Sequence, residues 1–420
     1  MKKFITTILI LEAKAALAKH GPKIVGITGS VGKSSSKEFI FCVLSKKFRV
    51  RQSPKSYNSE IGLALSILGL PTYFNSNIFG WSKNIIKGFF EIWNKKFPEI
   101  LVLEMGIDRP KDMDNILKVA RPNIAVITAI GEIPAHVEFF AGPEDIAREK
   151  SKILKYLLAD EFAFLNFDDD SVWSMREKTK ARVLGFGFGA HANFLASNLK
   201  ISISGATFKI DCEGSSVPVH LQEALGKQNI YAALSAFAVG SILGFNLVEI
   251  SEYLSTCKTS PGRMKLLEGI KNSKIIDDTY NSSPQALHAA LDALEKLDAV
   301  RKVAILGDML EIGKYTIEAH KTVGQKAHKF LDVLVTVGLR AKFISAEALT
   351  LGMEKNKVYH FSTPEDAFAI LKDLVKEGDL ILVKGSQAMR MERIVEEIMQ
   401  NPENAPKLLV RQEKYWKNKK

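Results

Sequence analysis

Short runs of apolar residues alternate along the chain with longer segments in which apolar residues recur at helical spacing. Such runs are typical of strands buried in a parallel sheet, and the longer segments are typical of amphipathic helices. Polar residues follow most of the runs, so we expect an α/β fold with a site at the carboxyl edge of the strands. The predicted strands cover residues 24–28, 100–104, 124–128, 162–166, 274–276, 303–306, 333–337, 358–361 and 380–383.

The same pattern divides the chain into parts. Residues 182–221 form short, Gly- and Ser-rich segments in which apolar and polar residues alternate, and this pattern indicates a small antiparallel sheet. Residues 259–263, Thr-Ser-Pro-Gly-Arg, have the composition of a turn and are the expected linker between two domains. The predicted parts are an N-terminal amphipathic helix (1–21), a central domain on a doubly wound, mostly parallel sheet (22–260), a C-terminal Rossmann-like α/β domain (261–400) and a loose basic tail (401–420).

Residues 23–38 have the order strand, glycine loop, Lys-Ser and helix. Gly29 and Gly32 let the backbone turn tightly and approach a ligand. Lys33 supplies a mobile cation and Ser34 a hydroxyl at the start of the helix. This order is typical of a loop that holds phosphates on amide N–H groups, with the hydroxyl on Mg²⁺; the alternative is a glycine-rich turn without a ligand. The expected phosphate contacts are Gly29, Ser30, Val31, Gly32, Lys33, Ser34 and Ser35.

Composition narrows the range of partners. The 420-residue chain has a formal net charge of +11, which favours an anionic partner, although plain solubility is an alternative explanation. Cys42, Cys212 and Cys257 lack metal-ligand spacing and are expected to be buried thiols in a reducing compartment. No apolar stretch has the length of a membrane-spanning helix, and the N-terminal segment lacks the cleavage site of a signal peptide.

Residues 74–97 combine aromatic and aliphatic residues with lysines at helical spacing. The simplest interpretation is a helix packed on the core of the central domain. An interfacial helix lying on an anionic membrane is a second interpretation, and a surface for a protein partner is a third.

Several motifs occur in an order that resembles a known family. They are T-G-S-V-G-K-S (28–34), L-E-M-G (103–106), His136, a helix around Lys150, P-G-R (261–263), D-D-T-Y-N-S-S-P (277–284), G-D-M-L-E-I-G (307–313), His320 and K-G-S (384–386). Over residues 23–393, this ordered set resembles the Mur ligases of peptidoglycan synthesis.

The resemblance implies an ATP- and Mg²⁺-dependent amide ligase. In such an enzyme a substrate carboxylate attacks the γ-phosphate of ATP, and an amine then displaces phosphate from the acyl phosphate. The expected substrates are an anionic UDP-muramyl-tripeptide and the dipeptide D-alanyl-D-alanine. The resemblance further implies a cytoplasmic monomer that binds no nucleic acid.

The resemblance also implies roles for single residues. The alternatives are a solvated strand end for Glu104, structural histidines at 136 and 320, an ordinary helix lysine at 150 and a helix-capping turn at 278–283. The expected catalytic residues are Lys33, His136, Lys150 and Arg263; the metal ligands are Ser34, Glu104, His136 and a carbamylated Lys150; the nucleotide contacts beyond the phosphate loop are Asn229, Asp278, Tyr280, Asn281 and His320; the substrate contacts are Asn58 and Lys384.

The chain departs from the family pattern in several places. Ile27 stands where the usual phosphate loop has glycine, and Gln387 stands where the family has arginine after K-G-S. Ser59 replaces an asparagine, and Ala232 replaces a second polar residue after Asn229. Only a short helix precedes the phosphate loop, where the family carries a uridine-binding domain. These departures concern specificity more than reaction type.

Other functions remain open at this stage. A related ligase of the folate or polyamide type would use another carboxylate. A P-loop kinase or nucleotide switch would hydrolyse ATP or GTP, or phosphorylate a hydroxyl, without needing an amine. A non-catalytic scaffold docked on a membrane would turn over no amine.

Overall fold

Two α/β domains follow one another along the chain. The computed structural model describes residues 2–54, 59–73 and 78–417, with the side chains of residues 2, 3 and 78 left aside. Within these residues one sheet has nine strands and the other has six. The predicted fold class is therefore confirmed.

The strands of the first sheet are β1 (Lys23–Thr28), β2 (Val50–Gln52), β3 (Ile100–Glu104), β4 (Ile124–Ile127), β5 (Phe162–Asn166), β6 (Arg182–Gly187), β7 (Phe194–Ser202), β8 (Gly205–Cys212) and β9 (Ser215–Gln222). Those of the second are β10 (Lys265–Glu268), β11 (Lys274–Asp278), β12 (Arg301–Gly307), β13 (Val333–Val337), β14 (Val358–Phe361) and β15 (Asp379–Lys384).

The helices that accompany the first sheet are α1 (Lys2–His20), α2 (Lys33–Leu44), α3 (Glu60–Leu68), α4 (Ile78–Glu91), α5 (Asp112–Val119), α6 (Pro143–Lys155), α7 (Asp170–Trp173), α8 (Lys227–Ile242) and α9 (Leu247–Ser255). Those of the second domain are α10 (Pro284–Lys296), α11 (Thr316–Ala327), α12 (Lys342–Thr350), α13 (Pro364–Leu374), α14 (Glu392–Ile398), α15 (Ala405–Leu408) and α16 (Lys414–Lys417).

The first sheet is covered by helices on both faces. Its strand order is β2-β3-β1-β4-β5-β6-β7-β8-β9, and the strands from β2 to β6 are parallel. Alternate residues of β1 enter two different cores: Val25 and Ile27 pack with Phe39 and Phe237, whereas Ile24 belongs to the core on the opposite face. This is the doubly wound arrangement that the apolar runs predicted.

The antiparallel strands predicted over residues 182–221 are an extension of the same sheet. β6 is parallel to β5, and β7 joins β6 where Phe186 pairs with Phe194. β8 and β9 then continue the sheet in antiparallel pairs. The second sheet has the order β10-β11-β15-β12-β13-β14, in which only the β10–β11 pair is antiparallel.

Helix α3 begins at Glu60, where the Ser59 side chain accepts the Gly62 amide at 3.3 Å and caps the helix. One prediction about local structure needs correction. Cys42 and Cys257 were expected to be thiols but form a disulfide, with Cα atoms 5.9 Å apart. They are separated by 215 residues, so their spacing in the sequence carried no signal.

No described helix combines the length and the apolar character that a bilayer crossing requires. The domain boundaries at 21, 260 and 400 stay a prediction, although β10 directly follows the expected linker.

The prediction of a loose tail is wrong for its described part, which ends at Lys417. Leu409 is buried in the core of the second domain, and Arg411 is 7 % exposed. The Arg411 guanidinium donates hydrogen bonds to the Tyr280 carbonyl at 3.0 Å and to the Glu392 carboxylate at 2.7 Å. The tail therefore fastens the turn after β11.

We expect Arg411→Ala to lower the free energy of unfolding by about 3 kcal/mol, because it leaves the buried Glu392 carboxylate with Arg390 as its remaining basic partner. Urea denaturation measures this difference. Lys414→Ala, at an exposed position of the same tail, is the matched control and should change stability by less than about 0.5 kcal/mol. Equal stability of the two variants would show that the tail is loose.

Candidate active site

A cleft of about 460 Å³ lies between the two domains. The residues that form it come from the phosphate loop, from the carboxyl ends of strands in both sheets, and from the C-terminal tail. The lining includes Ser30, Val31, Gly32, Lys33, Ser34, Ser35, Glu104, Asp108, His136, Lys150, Gln228, Asn229, Arg263, Asp278, Tyr280, Asn281, Glu311, Lys384, Ser386, Gln387 and Trp416.

The phosphate loop needs glycine at two positions. Gly29 has φ 142°, and a Cβ there would lie 2.0 Å from Thr128 Oγ1. Gly32 has φ 90° and immediately precedes α2. Both conformations favour glycine, and they turn the chain sharply from β1 into α2.

Not every amide of this loop faces the cleft. The Ser30 and Val31 amides donate to the Ala129 carbonyl, at 2.6 and 3.0 Å. The first amide groups of an α-helix have no acceptor within the helix. The anion-binding amides are therefore expected at the start of α2, where the helix dipole also favours negative charge.

Two lysines converge on one carbonyl oxygen of this loop. Lys33 Nζ donates to Gly29 O at 2.8 Å, and Lys150 Nζ donates to the same oxygen at 2.9 Å. Lys150 comes from α6 and is 3 % exposed. Burial lowers the pKa of both amines, and for Lys150 the nearby Lys33 ammonium lowers the pKa further, to well below its usual value. A bound anion would raise the pKa of both amines again, because it favours their charged forms.

A hydroxyl, a carboxylate and a guanidinium meet beside these lysines. Ser34 Oγ donates to Glu104 Oε2 at 3.0 Å, and Arg263 Nη2 donates to Ser34 Oγ at 2.9 Å. Glu104 is 2 % exposed at the end of β3. Arg263 lies in the linker and stacks on the Tyr280 ring with 3.9 Å between guanidinium carbon and ring centre. Arg263 therefore connects the phosphate loop to the second domain.

The four predicted metal ligands do not form a closed cage. Among the described residues, no group of three or more His, Cys, Asp or Glu side chains could hold a metal ion. Ser34 and Glu104 nevertheless offer two hard oxygen donors 3.0 Å apart. Mg²⁺ is usually held by one or two protein oxygens together with water and substrate phosphates, so this pair fits a magnesium nucleotide.

A contact between the two domains joins His136 to Glu311. The His136 Nδ1 atom is 2.6 Å from Glu311 Oε2, and the Nε2 atom is 3.5 Å from Asp108 Oδ1. The hydrogen bond from His136 holds the pKa of the Glu311 carboxyl below its usual value. His136 has φ 67°, a strained conformation for a residue with a side chain. The structure thus gives His136 two carboxylate partners in the same cleft that Ser34 lines.

Lys384 lines the cleft, but its ammonium group is already bound. It donates to Asp278 Oδ2 at 2.6 Å and to the Asn281 carbonyl at 2.9 Å, and it is 2 % exposed. Asn281 Oδ1 in turn accepts the Gln387 amide at 3.2 Å. These contacts fasten the turn after β11 to the end of β15, so the geometry favours a positioning role for Lys384 over direct substrate contact.

The predicted nucleotide contact at His320 is wrong. His320 is fully buried, with Nδ1 2.6 Å from the Thr316 carbonyl and Nε2 accepting the Met309 amide at 3.0 Å. The ring holds the loop that carries Glu311 and does not line the cleft. Asn229 does line the cleft, with its amide donated to the Leu225 carbonyl at 2.9 Å.

Several residues that line the cleft were not predicted from the sequence, and one predicted residue lies outside the described part of the chain. Asp108 follows the strand-end Glu104 closely, and Glu311 lies inside the motif at 307–313. The positions of both residues in the sequence therefore indicated a place at the site. Trp416 reaches the cleft from the tail and had no local signal. Asn58 lies outside the described residues.

These features together define a class of protein. The site has the parts of a nucleotide-dependent ligase that activates a carboxylate. These parts are a phosphate loop, a strand-end carboxylate, buried lysines and a second α/β domain that supplies cations across a cleft.

The comparisons with known proteins place the chain more narrowly. The Mur ligase middle domain matches residues 27–240, and the Mur ligase glutamate ligase domain matches residues 262–387. UDP-N-acetylmuramoyl-tripeptide–D-alanyl-D-alanine ligase of Bacillus subtilis is 31 % identical over 395 residues, which is 93 % of this chain and 79 % of the relative.

Solved structures agree with that result. MurF ligase from Thermotoga maritima in complex with ADP has a TM-score of 0.77 and 28 % identity, and the match covers 93 % of this chain and 83 % of that one. MurF from Acinetobacter baumannii has a TM-score of 0.77 and 25 % identity, with coverages of 92 % and 79 %. The chain belongs to the Mur ligase family, and it is an ATP-dependent carbon–nitrogen ligase.

The lowered pKa of Lys150 predicts a specific dependence of stability on pH. The pKa of Lys150 is well below its usual value in the folded protein but not in the unfolded chain, so the unfolded chain binds more protons between the two pKa values and the stability of the wild type rises with pH across that interval. Lys150→Met removes this pH-dependent contribution, so the slope of unfolding free energy against pH should fall by up to about 1.4 kcal/mol per pH unit. Denaturant midpoints measured across that range test this.

Lys152→Met is the matched control on the same helix. Burial lowers the pKa of Lys152, but hydrogen bonds to Asp114 and Glu149 outweigh it and raise the pKa overall. Lys152 therefore stays protonated in both states across this range, and its replacement should leave the slope unchanged. Equal slopes for all three proteins would contradict a lowered pKa of Lys150.

Proposed function

We propose that this protein joins the carboxylate of a UDP-muramyl-tripeptide to the amino group of D-alanyl-D-alanine at the expense of ATP. The observation that carries the proposal is the convergence of Lys33 and Lys150 on Gly29, beside the Ser34–Glu104 pair. The substrates are those named in the B. subtilis relative, which the chain matches over most of its length.

The first step is attack of the substrate carboxylate on the γ-phosphorus of ATP, which forms an acyl phosphate and releases ADP. Two anions must meet in this step, so their charge has to be neutralised. Lys33 and the start of α2 would bind the phosphates, and Arg263, whose guanidinium donates to Ser34 Oγ, would contact them from the linker. Mg²⁺, when bound to Ser34 and Glu104, supplies further neutralisation of phosphate charge.

In the second step the amine of the dipeptide attacks the acyl carbon. The tetrahedral intermediate then loses phosphate, which carries away the amine proton as hydrogen phosphate. The acyl phosphate must be kept from water during this step, which favours a closed cleft. The His136–Glu311 pair and the Arg263–Ser34 hydrogen bond, which hold the domains together, support such closure.

We also propose that Lys150 is carbamylated by CO₂ in the working enzyme. Only a neutral amine adds to CO₂, and burial together with Lys33 favours the neutral form of Lys150. The product is a carbamate anion and a released proton. A negative charge at this point would pair with Lys33 and help to hold a cation near the phosphates.

Sugar-nucleotide and ATP substrates favour a cytoplasmic location, and we propose that the protein acts there as a monomer. A related ligase that uses a different carboxylate or amine, and a kinase or nucleotide switch, are the competing functions that an assay has to separate.

ATP turnover with UDP-muramyl-tripeptide, measured as phosphate release with and without D-alanyl-D-alanine, tests the proposal. We expect phosphate release to depend on both substrates and to yield a product that contains the dipeptide by mass. Turnover that ignores the dipeptide, or that needs a different carboxylate, would overturn the substrate assignment.

Variants separate the proposed chemistry from incidental hydrolysis. Lys33→Met should reduce turnover by about a thousandfold, because the phosphate charge loses its nearest cation. Lys152→Met keeps the cleft intact and should retain turnover within about twofold. Similar losses in both variants would mean that Lys33 acts through folding and not through phosphate binding.

A further inference from the structure

Helix α4 is apolar on the side that faces away from the protein core. Its inner side packs Ile85 against the core and buries Asn84 completely, with the Asn84 amide donated to the Pro71 carbonyl at 2.7 Å. On the opposite side Phe79 is 90 % exposed and Phe90 is 67 % exposed. A helix that only packs on the core would carry polar residues there.

The exposed apolar residues form one stripe. At 100° per residue, Phe79, Ile86 and Phe90 lie within a narrow arc of α4, opposite the arc of Asn84, Ile85 and Gly88. Trp93 follows in the turn after the helix. Ile86 and Trp93 are 59 % and 64 % exposed. An exposed apolar stripe of this length on a folded domain marks an interaction surface.

Lysines border this stripe. Lys83 and Lys87 are exposed on α4 next to the arc, and Lys95 and Lys96 are exposed just beyond its end. Glu91 is the only acidic residue in 78–97, and its carboxylate is paired with Arg51. The surface is therefore apolar in the middle and positively charged at its edge.

Helix α1 packs beside α4 and has the same character. His20 Nε2 is 3.0 Å from the Ile92 carbonyl, and Lys19 Nζ lies 3.1 Å above the Trp93 ring. Phe4 and Leu11 are 69 % and 60 % exposed and lie seven residues apart, on the side of α1 opposite the buried Leu9. Two neighbouring helices thus expose apolar residues.

We propose that α1 and α4 form a docking surface for an anionic lipid membrane. We define this surface by Phe4, Leu11, Lys19, Phe79, Lys83, Ile86, Lys87, Phe89, Phe90 and Trp93. Aromatic and aliphatic side chains with bordering lysines are the combination that partitions into the headgroup region of a charged bilayer. Charge complementarity selects the anionic lipid over a neutral one.

The binding would be peripheral. No described helix can cross a bilayer, so α4 would lie along the membrane with its outer stripe inserted between headgroups. Trp93 would sit at the interface, where tryptophan is favoured.

Flotation of the full chain with vesicles tests the proposal. We expect the wild type to float with phosphatidylglycerol-containing vesicles and not with pure phosphatidylcholine vesicles, and to be released by about 0.5 M NaCl. The triple variant Phe79→Ser, Ile86→Ser, Phe90→Ser and the double variant Lys83→Glu, Lys87→Glu should each lower the partition coefficient by at least about tenfold.

The matched control is the double variant Val300→Ser, Leu339→Ser. These residues are 90 % and 74 % exposed in the second domain, so the control removes exposed apolar area elsewhere. It should bind vesicles as the wild type does. Thermal unfolding and ATP turnover without vesicles should be the same in all four proteins, because none of these residues lines the cleft.

Three results would overturn the proposal. The wild type could fail to float with either vesicle, it could bind both vesicles equally, or the α4 variants could bind as well as the control. Light scattering adds a check: a wild type that self-associates without binding vesicles, while the triple variant is monomeric, would show that a second copy of the chain covers this surface.

Discussion

The site depends on two lysines held against one backbone carbonyl. Lys33 and Lys150 both donate to Gly29 O, in a cleft where burial and their mutual repulsion disfavour two positive charges. Such an arrangement costs free energy in the empty protein and becomes favourable only when an anion arrives. The same carbonyl is presented there because Gly29 adopts a conformation that a side chain would not permit, against Thr128.

The second domain is built to reach this point. Arg263 extends from the linker to Ser34, and His136 pairs with Glu311 across the cleft. Behind these contacts, buried polar groups fix the loops: His320 holds the loop that carries Glu311, and Lys384 holds the turn that carries Asp278 and Asn281. These contacts across the cleft are polar, whereas buried apolar residues of both domains, such as Leu225 and Leu287, belong to one continuous core.

The sequence was informative wherever the signal is local. The strands at 162–166, 333–337 and 358–361 have the predicted bounds, because a short apolar run between polar residues is read directly from the chain. The phosphate loop and Glu104 could likewise be found, since each is defined by the strand that precedes it. The ordered motifs then predicted the family, which the comparisons confirm.

Signals that arise from distant partners could not be read in this way. Histidine and lysine often bind ligands, yet the side chains of His320 and Lys384 are already hydrogen-bonded to backbone or side-chain partners that only the fold brings close. The Cys42–Cys257 pair and the contacts of Arg411 join segments far apart in the chain. Trp416 reaches the cleft from a tail whose composition alone suggested a loose end.

Proton uptake on nucleotide binding tests the central claim most directly. If phosphates bind beside Lys150, whose pKa lies well below its usual value, the anion raises that pKa. Calorimetry of a non-hydrolysable ATP analogue with Mg²⁺ near pH 8, in CO₂-free buffers of different ionisation enthalpy, should therefore show net uptake of up to about one proton. Lys150→Met should lose its part of that uptake. Binding without proton uptake, or uptake unchanged in Lys150→Met, would contradict the account.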